Sequence, residues 1–509
     1  MVKKSIIRSS IIIIMITIFT KVLALVREVY TASYLGTSTI SDAYLLGTTL
    51  SQIVLTGFAG NFFKTYLPVA TAEKNKSDKR YAEYSSNLLI MGSGLFLVLS
   101  LVVFMSAEYS TKLLAFGASD EVVQLSIWVC KVTAFPSVCL LAINVLQGYL
   151  HVQEKFLSNM VFPLVMNVSI MIGVGIGKGS IGSLSYAYGA SLVLSAMCLW
   201  GYSRLSGLKR TLSKHFYKDD AVKTTLKLTL PLFLGGLVAE INEIVDRSFS
   251  AYYESGVLTA LRYGKLIEIF IVSAIGISIG QAVYPRIAQL VYEKRSEDIE
   301  KLLSQITEFF CIIFIPLFWG VILVGEDLIA VIFMRGAFDA TSVANTSIAF
   351  KIYSISILPV SFNEILSRVF FAFNNTKKPV LYSCIAMGLN IILNAAVVFV
   401  FKADFYMLAF TTSLSEAIMA LFYIFGIKRN FNLKICISWK TIVCVFVSSG
   451  VMALGVRFIQ QNLNCKVGTR LFVAVLAGVG IYIVILGLLK FRQIKAILKK
   501  KCMERKYNG

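Results

Sequence analysis

Fourteen apolar segments, each about long enough to cross a bilayer, follow one another along the chain with only short polar loops between them. They cover 6–35, 40–70, 85–106, 122–150, 157–176, 184–205, 226–253, 258–283, 302–324, 347–373, 380–401, 405–427, 441–459 and 471–489. A membrane span needs about 20 largely apolar residues to cross roughly 30 Å of hydrocarbon. A helix meets the demand that every backbone donor and acceptor there be satisfied within its own segment. The expected fold is an all-α polytopic membrane protein. Only 15% of the 509 residues are charged, well below the roughly 25% of a soluble domain.

The net charge of +21 would point to nucleic acid in a soluble chain, but here its placement matters more than its size. Basic residues gather at the N-terminus (Lys3, Lys4, Arg8) and in every second loop: Lys74, Lys76, Lys79 and Arg80; Lys209, Arg210, Lys214 and Lys218; Arg286, Lys294 and Arg295; Lys377 and Lys378; Lys428, Arg429 and Lys434. The tail adds Arg492, Lys495, Lys499, Lys500, Lys501, Arg505 and Lys506. The alternate loops are nearly bare, the exception being Lys466 and Arg470 before the last segment. This positive-inside pattern puts both termini in the cytoplasm of a multi-pass cytoplasmic-membrane protein. Its expected partners are anionic lipids rather than nucleic acid. The first segment has the basic start of a signal peptide, but its apolar run is too long and lacks a small-residue cleavage site, so it is read as retained. Nine cysteines without CxxC spacing and two histidines, His151 and His215, indicate neither a metal site nor a disulfide framework.

Compared with itself at an offset near 220, the chain aligns Arg27-Glu28 with Asp246-Arg247, Tyr66-Leu67-Pro68 with Tyr284-Pro285, Pro136 with Pro359, Lys155 with Lys378 and Asn167 with Asn390. A colinear set with so little drift reads as duplication of a six-helix unit. Because six is even, the copies form a parallel pseudo-repeat, the arrangement of transporters whose substrate site lies between two bundles. The expected divisions are 1–220 and 221–430 for the two six-helix lobes, and 431–509 for two further helices with a basic tail.

Ionisable residues inside a span cost about 2.5–3.5 kcal/mol each at the centre, so a cluster must face protein, water or a polar ligand. Lys21 and Glu28 are seven residues apart and share a face of the first helix. Arg27 and Glu28 are adjacent and point about 100° apart, so Arg27 is expected not to be neutralised by its neighbour. Two readings apply to Arg27, a snorkelling interfacial cation or part of a buried cluster. Asp42 lies early in the second segment. The other half carries Glu240, Glu243, Asp246 and Arg247, then Arg262, Lys265 and Glu268 at spacings of three. Glu243–Arg247 and Glu364–Arg368, each i,i+4, read as internal salt bridges, and Lys351 as a residue near the outer interface. Arg27, Arg262 and Lys265 together would make a basic cavity suited to phosphate or diphosphate, with carboxylates as counter-charges. Asn390 and Asn394, with Asp246 and Thr411, offer oxygens for a small monovalent cation, although interhelical hydrogen bonding is the commoner use of such asparagines.

The run Thr20-Lys21-Val22-Leu23-Ala24-Leu25-Val26-Arg27-Glu28, then Leu35-Gly36, then Ser41-Asp42-Ala43-Tyr44, resembles the signature of MurJ (MviN) lipid II flippases. So do Phe333-Met334-Arg335-Gly336-Ala337-Phe338-Asp339 and Arg368-Val369-Phe370-Phe371-Ala372-Phe373-Asn374-Asn375-Thr376-Lys377-Lys378-Pro379. The resemblance implies a flippase that moves undecaprenyl-diphosphate-linked peptidoglycan precursor from the inner to the outer leaflet. By that match Arg27 would grip the diphosphate and Lys21, Glu28 and Asp42 would support the cavity. Lys265 and Glu268 would stand where the family has an arginine and a glutamate, and the last two helices would border a groove for the lipid tail. One motif departs: where the family has R-R-x-F-A-E-G-A-F, this chain reads Leu55-Thr56-Gly57-Phe58-Ala59-Gly60-Asn61-Phe62-Phe63, without the arginines and the glutamate.

No Walker A lysine, G-x-S-x-G or clustered His and Cys occurs, so a transporter rather than an enzyme is expected, without a bound cofactor. Alternating access would draw on the membrane potential or on a sodium ion or proton as coupling ion, in a monomer. Other readings stay open: a flippase for another polyprenyl-linked oligosaccharide (capsule, O-unit or exopolysaccharide), a drug or cation antiporter, and a non-transporting scaffold.

Overall fold

Many large apolar side chains are exposed among the described residues, Met105, Ile176, Leu205 and Leu454 among them at 70–90% exposure, which suits helices whose outer faces meet lipid. The computed structural model describes residues 2–208, 219–436, 438–463 and 465–507, with side chains over 15–233, 240–436, 438–463 and 465–489 within those ranges. The basic loop with Lys209, Arg210, Lys214, His215 and Lys218 lies outside the described residues, as do the side chains of Lys3, Lys4, Arg8 and the basic tail.

Among the described residues there are helices and no strands. In chain order they are α1 (Val2–Leu35), α2 (Thr39–Gly47), α3 (Thr56–Lys76), α4 (Asp78–Leu114), α5 (Asp120–Ala134), α6 (Cys139–Val152), α7 (Ser158–Ile176), α8 (Ile181–Leu205) and α9 (Asp220–Ser250). There follow α10 (Val257–Val272), α11 (Ser278–Tyr292), α12 (Ser296–Phe333), α13 (Ala340–Tyr353), α14 (Ile357–Ala372), α15 (Lys377–Ala395), α16 (Tyr406–Phe431), α17 (Trp439–Asn462) and α18 (Val467–Tyr507). Nine described stretches are long and apolar enough to cross a membrane, eleven if each bent pair, α5 with α6 and α13 with α14, is one span. The charge-bearing α1, α2 with α3, and α9 stand outside that count; the whole is consistent with fourteen.

The duplication is visible in backbone irregularities. A π-helical turn at Leu50–Leu55 joins α2 to α3, and another at Ser273–Ile277 joins α10 to α11, 223 positions later. The α5–α6 and α13–α14 breaks each bend the helix by 44°. Lys178 and Lys402, both with φ near +47°, end corresponding helices. Such features are local and costly, so their recurrence in register reflects a shared backbone plan.

By packing, the chain forms one unit of residues 1–259 with 335–339 and another of 260–334 with 340–509. In the first unit the core is aromatic: Phe62, Tyr66, Tyr81, Tyr84 and Phe96 are buried together. The Tyr66 ring lies where a Cβ on Gly148 would stand 2.5 Å away, so α3 and α6 approach closely only because position 148 is glycine. At the end that carries the basic loops, Asp219 gathers partners. It accepts from Arg80 Nη1 and Nη2 at 3.0 and 2.6 Å and from Asn87 at 2.8 Å, and caps α9 through the Ala221 N–H. Arg80 also bonds Glu73 at 2.8 Å. With Tyr84–Thr225 and Thr65–Thr229, these bonds fix the start of α9 to α3 and α4.

In the second unit Phe310, Phe314, Ile365, Phe370 and Tyr423 form the core. The segment linking α16 to α17 runs along α12: the backbone N–H groups of Lys434, Cys436 and Ser438 donate to Glu300, Ser304 and Glu308. Two extended residues advance about 6.6 Å and four helical residues about 6 Å, so alternate amides meet every fourth side chain. At the other end of the α17–α18 pair, buried Asp327 on α12 accepts from Arg470 at 2.6 and 3.0 Å and from Gln460 at 2.8 Å. Of the two basic residues that broke the loop pattern, Arg470 is thus half of an internal ion pair.

Candidate functional site: charged clusters on α1 and α10

On α1, Lys21 is exposed, Arg27 half-buried and Glu28 buried. Arg27 and Glu28 form an ion pair through Nη2 and Oε1, which corrects the expectation that adjacent positions keep them apart. The Cα–Cβ bonds do diverge, but the arginine side chain is long and can fold back, and low-dielectric surroundings reward pairing. Arg27 therefore enters any ligand interaction already partnered.

Asp42 is buried, and both its oxygens are engaged at the start of α10. Oδ2 accepts from the Gly256 N–H at 2.6 Å, and Oδ1 from the N–H and hydroxyl of Thr259 at 2.9 and 2.6 Å. It acts as an N-terminal cap supplied from another helix, where a carboxylate meets free N–H groups and the positive end of the helix dipole.

Two glycines of the quoted motifs serve the same end of the unit. Gly36 and Gly336 both have φ of +57°; a Cβ on Gly336 would lie 2.1 Å from the Ser33 carbonyl oxygen, and one on Gly36 2.3 Å from that of Ala337. The Ala337 N–H donates to the Ser33 carbonyl at 2.8 Å. The stretch 335–339 therefore seats backbone to backbone on the end of α1.

On α9, Arg247 pairs with Glu243 at 2.7 Å, as its spacing predicted, and donates to the Leu45 carbonyl at 2.9 Å beside the first π turn. Glu240 lies against Gly57: a Cβ there would meet its Oε1 at 2.8 Å. In the departing motif, Leu55 is buried in the core, whereas a Cβ on Gly60 would meet nothing within 4 Å. Of the three lost charge positions, that of Leu55 is packed shut, that of Thr56 is half-buried and that of Gly60 is open.

In the second unit, α10 carries Arg262 and Lys265 half-buried and Glu268 buried. The Arg262 guanidinium stands 5.7 Å from the Tyr263 ring centroid, and Glu268 accepts from the Ser356 hydroxyl at 3.1 Å, in the α13–α14 break. Gly264 lets α10 approach α13: a Cβ there would be 2.9 Å from the Phe350 nitrogen. Glu364 and Arg368 pair at 3.3 Å, and Lys351 reaches Glu326 at 3.7 Å. Asn390, Asn394 and Thr411 are buried and joined: Asn394 donates to Asn390 at 3.1 Å, Thr411 to Asn394, and Asn390 to Thr412 at 3.3 Å. Of the oxygens read as cation ligands, Asn394 Oδ1 accepts from α16, Asn390 Oδ1 accepts from Asn394 within α15, and the Thr411 hydroxyl donates, while Asp246 belongs to the first unit.

Sequence reasoning missed the partners of Asp42 and Gly336, and the Ser356 hydroxyl. Only the glycines signalled close backbone approach beforehand.

A family model described as lipid II flippase MurJ matches residues 31–473. Among curated relatives, the probable lipid II flippase MurJ of Treponema pallidum (strain Nichols) is 23% identical over 463 residues, covering 86% of this chain and 85% of the relative. That of Thermotoga maritima is 22% identical, covering 95% and 97%. Among solved structures, a lipid II flippase MurJ in an inward closed conformation aligns with TM-score 0.80 at 20% identity, covering 95% of this chain and all of that one. An inward-facing MATE family multidrug transporter of the MOP superfamily aligns at 0.63 and 14% identity, covering 81% and 94%. On the family match across most of its length, this multi-pass membrane chain belongs to the lipid II flippase MurJ family.

Proposed function

We propose that this protein moves lipid II, the polyprenyl-diphosphate-linked peptidoglycan precursor, from the inner to the outer leaflet of the cytoplasmic membrane. The observation that carries the reading is the family match over 31–473, with the α1 signature residue Arg27 half-buried rather than free in solvent. Arg27 binds the diphosphate, exchanging part of its bond to Glu28 for the more highly charged ligand. Arg262 and Lys265 supply further positive charge from α10, and Lys21 the approach. Glu28 and Glu268 balance the cations while no ligand is bound. Both termini are cytoplasmic, by the distribution of basic loops. The membrane potential or an ion gradient drives the cycle; one charge moved through 100 mV supplies about 2.3 kcal/mol.

A second reading, another polyprenyl-linked glycan, is favoured by one observation: Leu55 and Gly60 replace charged motif residues, and Lys265 presents a point charge where the family has the fork of an arginine. Complementation of a strain depleted of its lipid II flippase separates the two. Rescue by the wild type, lost in Arg27→Ala and Lys265→Ala at normal membrane levels, supports the first. Failure of the wild type supports the second.

A further inference from the structure

A cavity of about 630 Å³ opens between α4, α6 and α8 of the first unit, apart from the charged clusters above. Its walls are mostly apolar, with Leu89, Leu146, Val193 and Met197 among them beside the hydroxyls of Ser86 and Ser93, and the small Ala142 and Ala196 leave the room. Among the described residues no acidic one lines it. Among the described lining residues the charged one is Arg204, at the end of α8. Arg204 is exposed, donates an Nη1–H to the Leu208 carbonyl at 3.3 Å, and lies 5.9 Å from the ring centroid of Trp200, itself 54% exposed. The sequence that follows holds Lys209, Arg210, Lys214 and Lys218 and no acid before Asp219.

From Val193 to Arg204 the α8 wall spans about 16 Å at 1.5 Å per residue, close to the half-thickness of a roughly 30 Å hydrocarbon core. The volume falls within the roughly 300–1,000 Å³ of ligand sites. An apolar slot one leaflet deep, closed at the water interface by a tryptophan and an arginine, fits one ligand chemistry: a hydrocarbon chain with an anionic head. We propose that this crevice is a site for an anionic glycerophospholipid, its acyl chain along α8 between α4 and α6 and its phosphate on Arg204. In the orientation proposed above this is the cytoplasmic leaflet, but the site does not depend on the transport reading.

Trp200 makes the test direct, because it lines the cavity. Trp128→Phe, Trp319→Phe and Trp439→Phe leave it as the one tryptophan. The full chain is reconstituted in symmetric phosphatidylcholine vesicles containing a minor fraction of phosphatidylglycerol, with either lipid brominated in turn, and Trp200 quenching is measured against unbrominated controls. Brominated phosphatidylglycerol should associate about fivefold more strongly than brominated phosphatidylcholine, the preference expected of one basic residue at the surface. Arg204→Gln should bring the ratio to one, and Ala196→Phe, which fills the slot, should lower quenching by both lipids. Equal quenching by the two lipids in the unsubstituted crevice would overturn the proposal, as would a preference that survives Arg204→Gln. Displacement of phosphatidylglycerol by polyprenyl phosphate, at fractions where added phosphatidylglycerol has no effect, would also overturn it by assigning the slot to a polyprenyl chain.

Discussion

Asp42 shows how a residue singled out from sequence can make contacts that the sequence alone does not name. A carboxylate early in a span signals a specific contact, but that its contacts are Gly256 and Thr259, more than 210 positions away, is a property of the folded chain. Asp42→Ala removes an N-terminal cap and strands buried donors, so it should lower stability by about 2 kcal/mol, read as a reduced thermal midpoint in detergent. Asp42→Asn, which keeps an accepting oxygen, should lose less. Gly336 is similar: its motif was legible, its seat on Ser33 was not. An alanine there must hold a left-handed backbone, costing about 1–2 kcal/mol, with a Cβ against a carbonyl that cannot rotate away. Gly336→Ala should therefore free the 335–339 stretch and speed tryptic cleavage at Arg335, while Gly60→Ala, placed in open space, should leave the cleavage rate unchanged. Pairing of Arg27 with Glu28 escaped a rule based on Cβ directions, since that rule says nothing of how far a long side chain can turn back.

At the level of elements, Asp219 joins α4 to the start of α9 outside the membrane spans. Burial works to raise its pKa, but the hydrogen bonds and charge of Arg80, with the bonds from Asn87 and the Ala221 N–H, outweigh it and hold the carboxyl below its ordinary value. A depressed folded pKa contributes stability that is complete above the unfolded value, about 3.9, and is lost as pH falls through the folded one. The wild type should thus lose thermal stability more steeply on acidification below about pH 4 than Asp219→Asn, which should be less stable at neutral pH. Heating curves across that range check both. Helix existence and approximate extent were legible from the apolar runs, because bilayer thickness sets their length. The tie between residues 434–438 and α12 was not, because it depends on matching two different rises per residue across 130 positions or more.

For the molecule as a whole, the duplicated plan was readable as colinear matches and reappears as paired π turns and paired bends. The two compact units divide at 259/260, whereas the repeat boundary read from sequence lies near 220. Contacts and ancestry are separate properties, and α9, first helix of the second repeat, is fastened to α3 and α4 by Asp219, Thr225 and Thr229. Family membership was legible in the α1–α2 signature; the state of each charge was not, since pairing depends on what packs beside it. The most direct measurement of the account is outward translocation of purified lipid II in vesicles containing the protein, compared among wild type, Arg27→Ala and Lys265→Ala at equal incorporation. We expect translocation by the wild type and a loss of tenfold or more in each variant, the equivalent of about 1.4 kcal/mol or more in barrier height. Wild-type rates in both variants would contradict it.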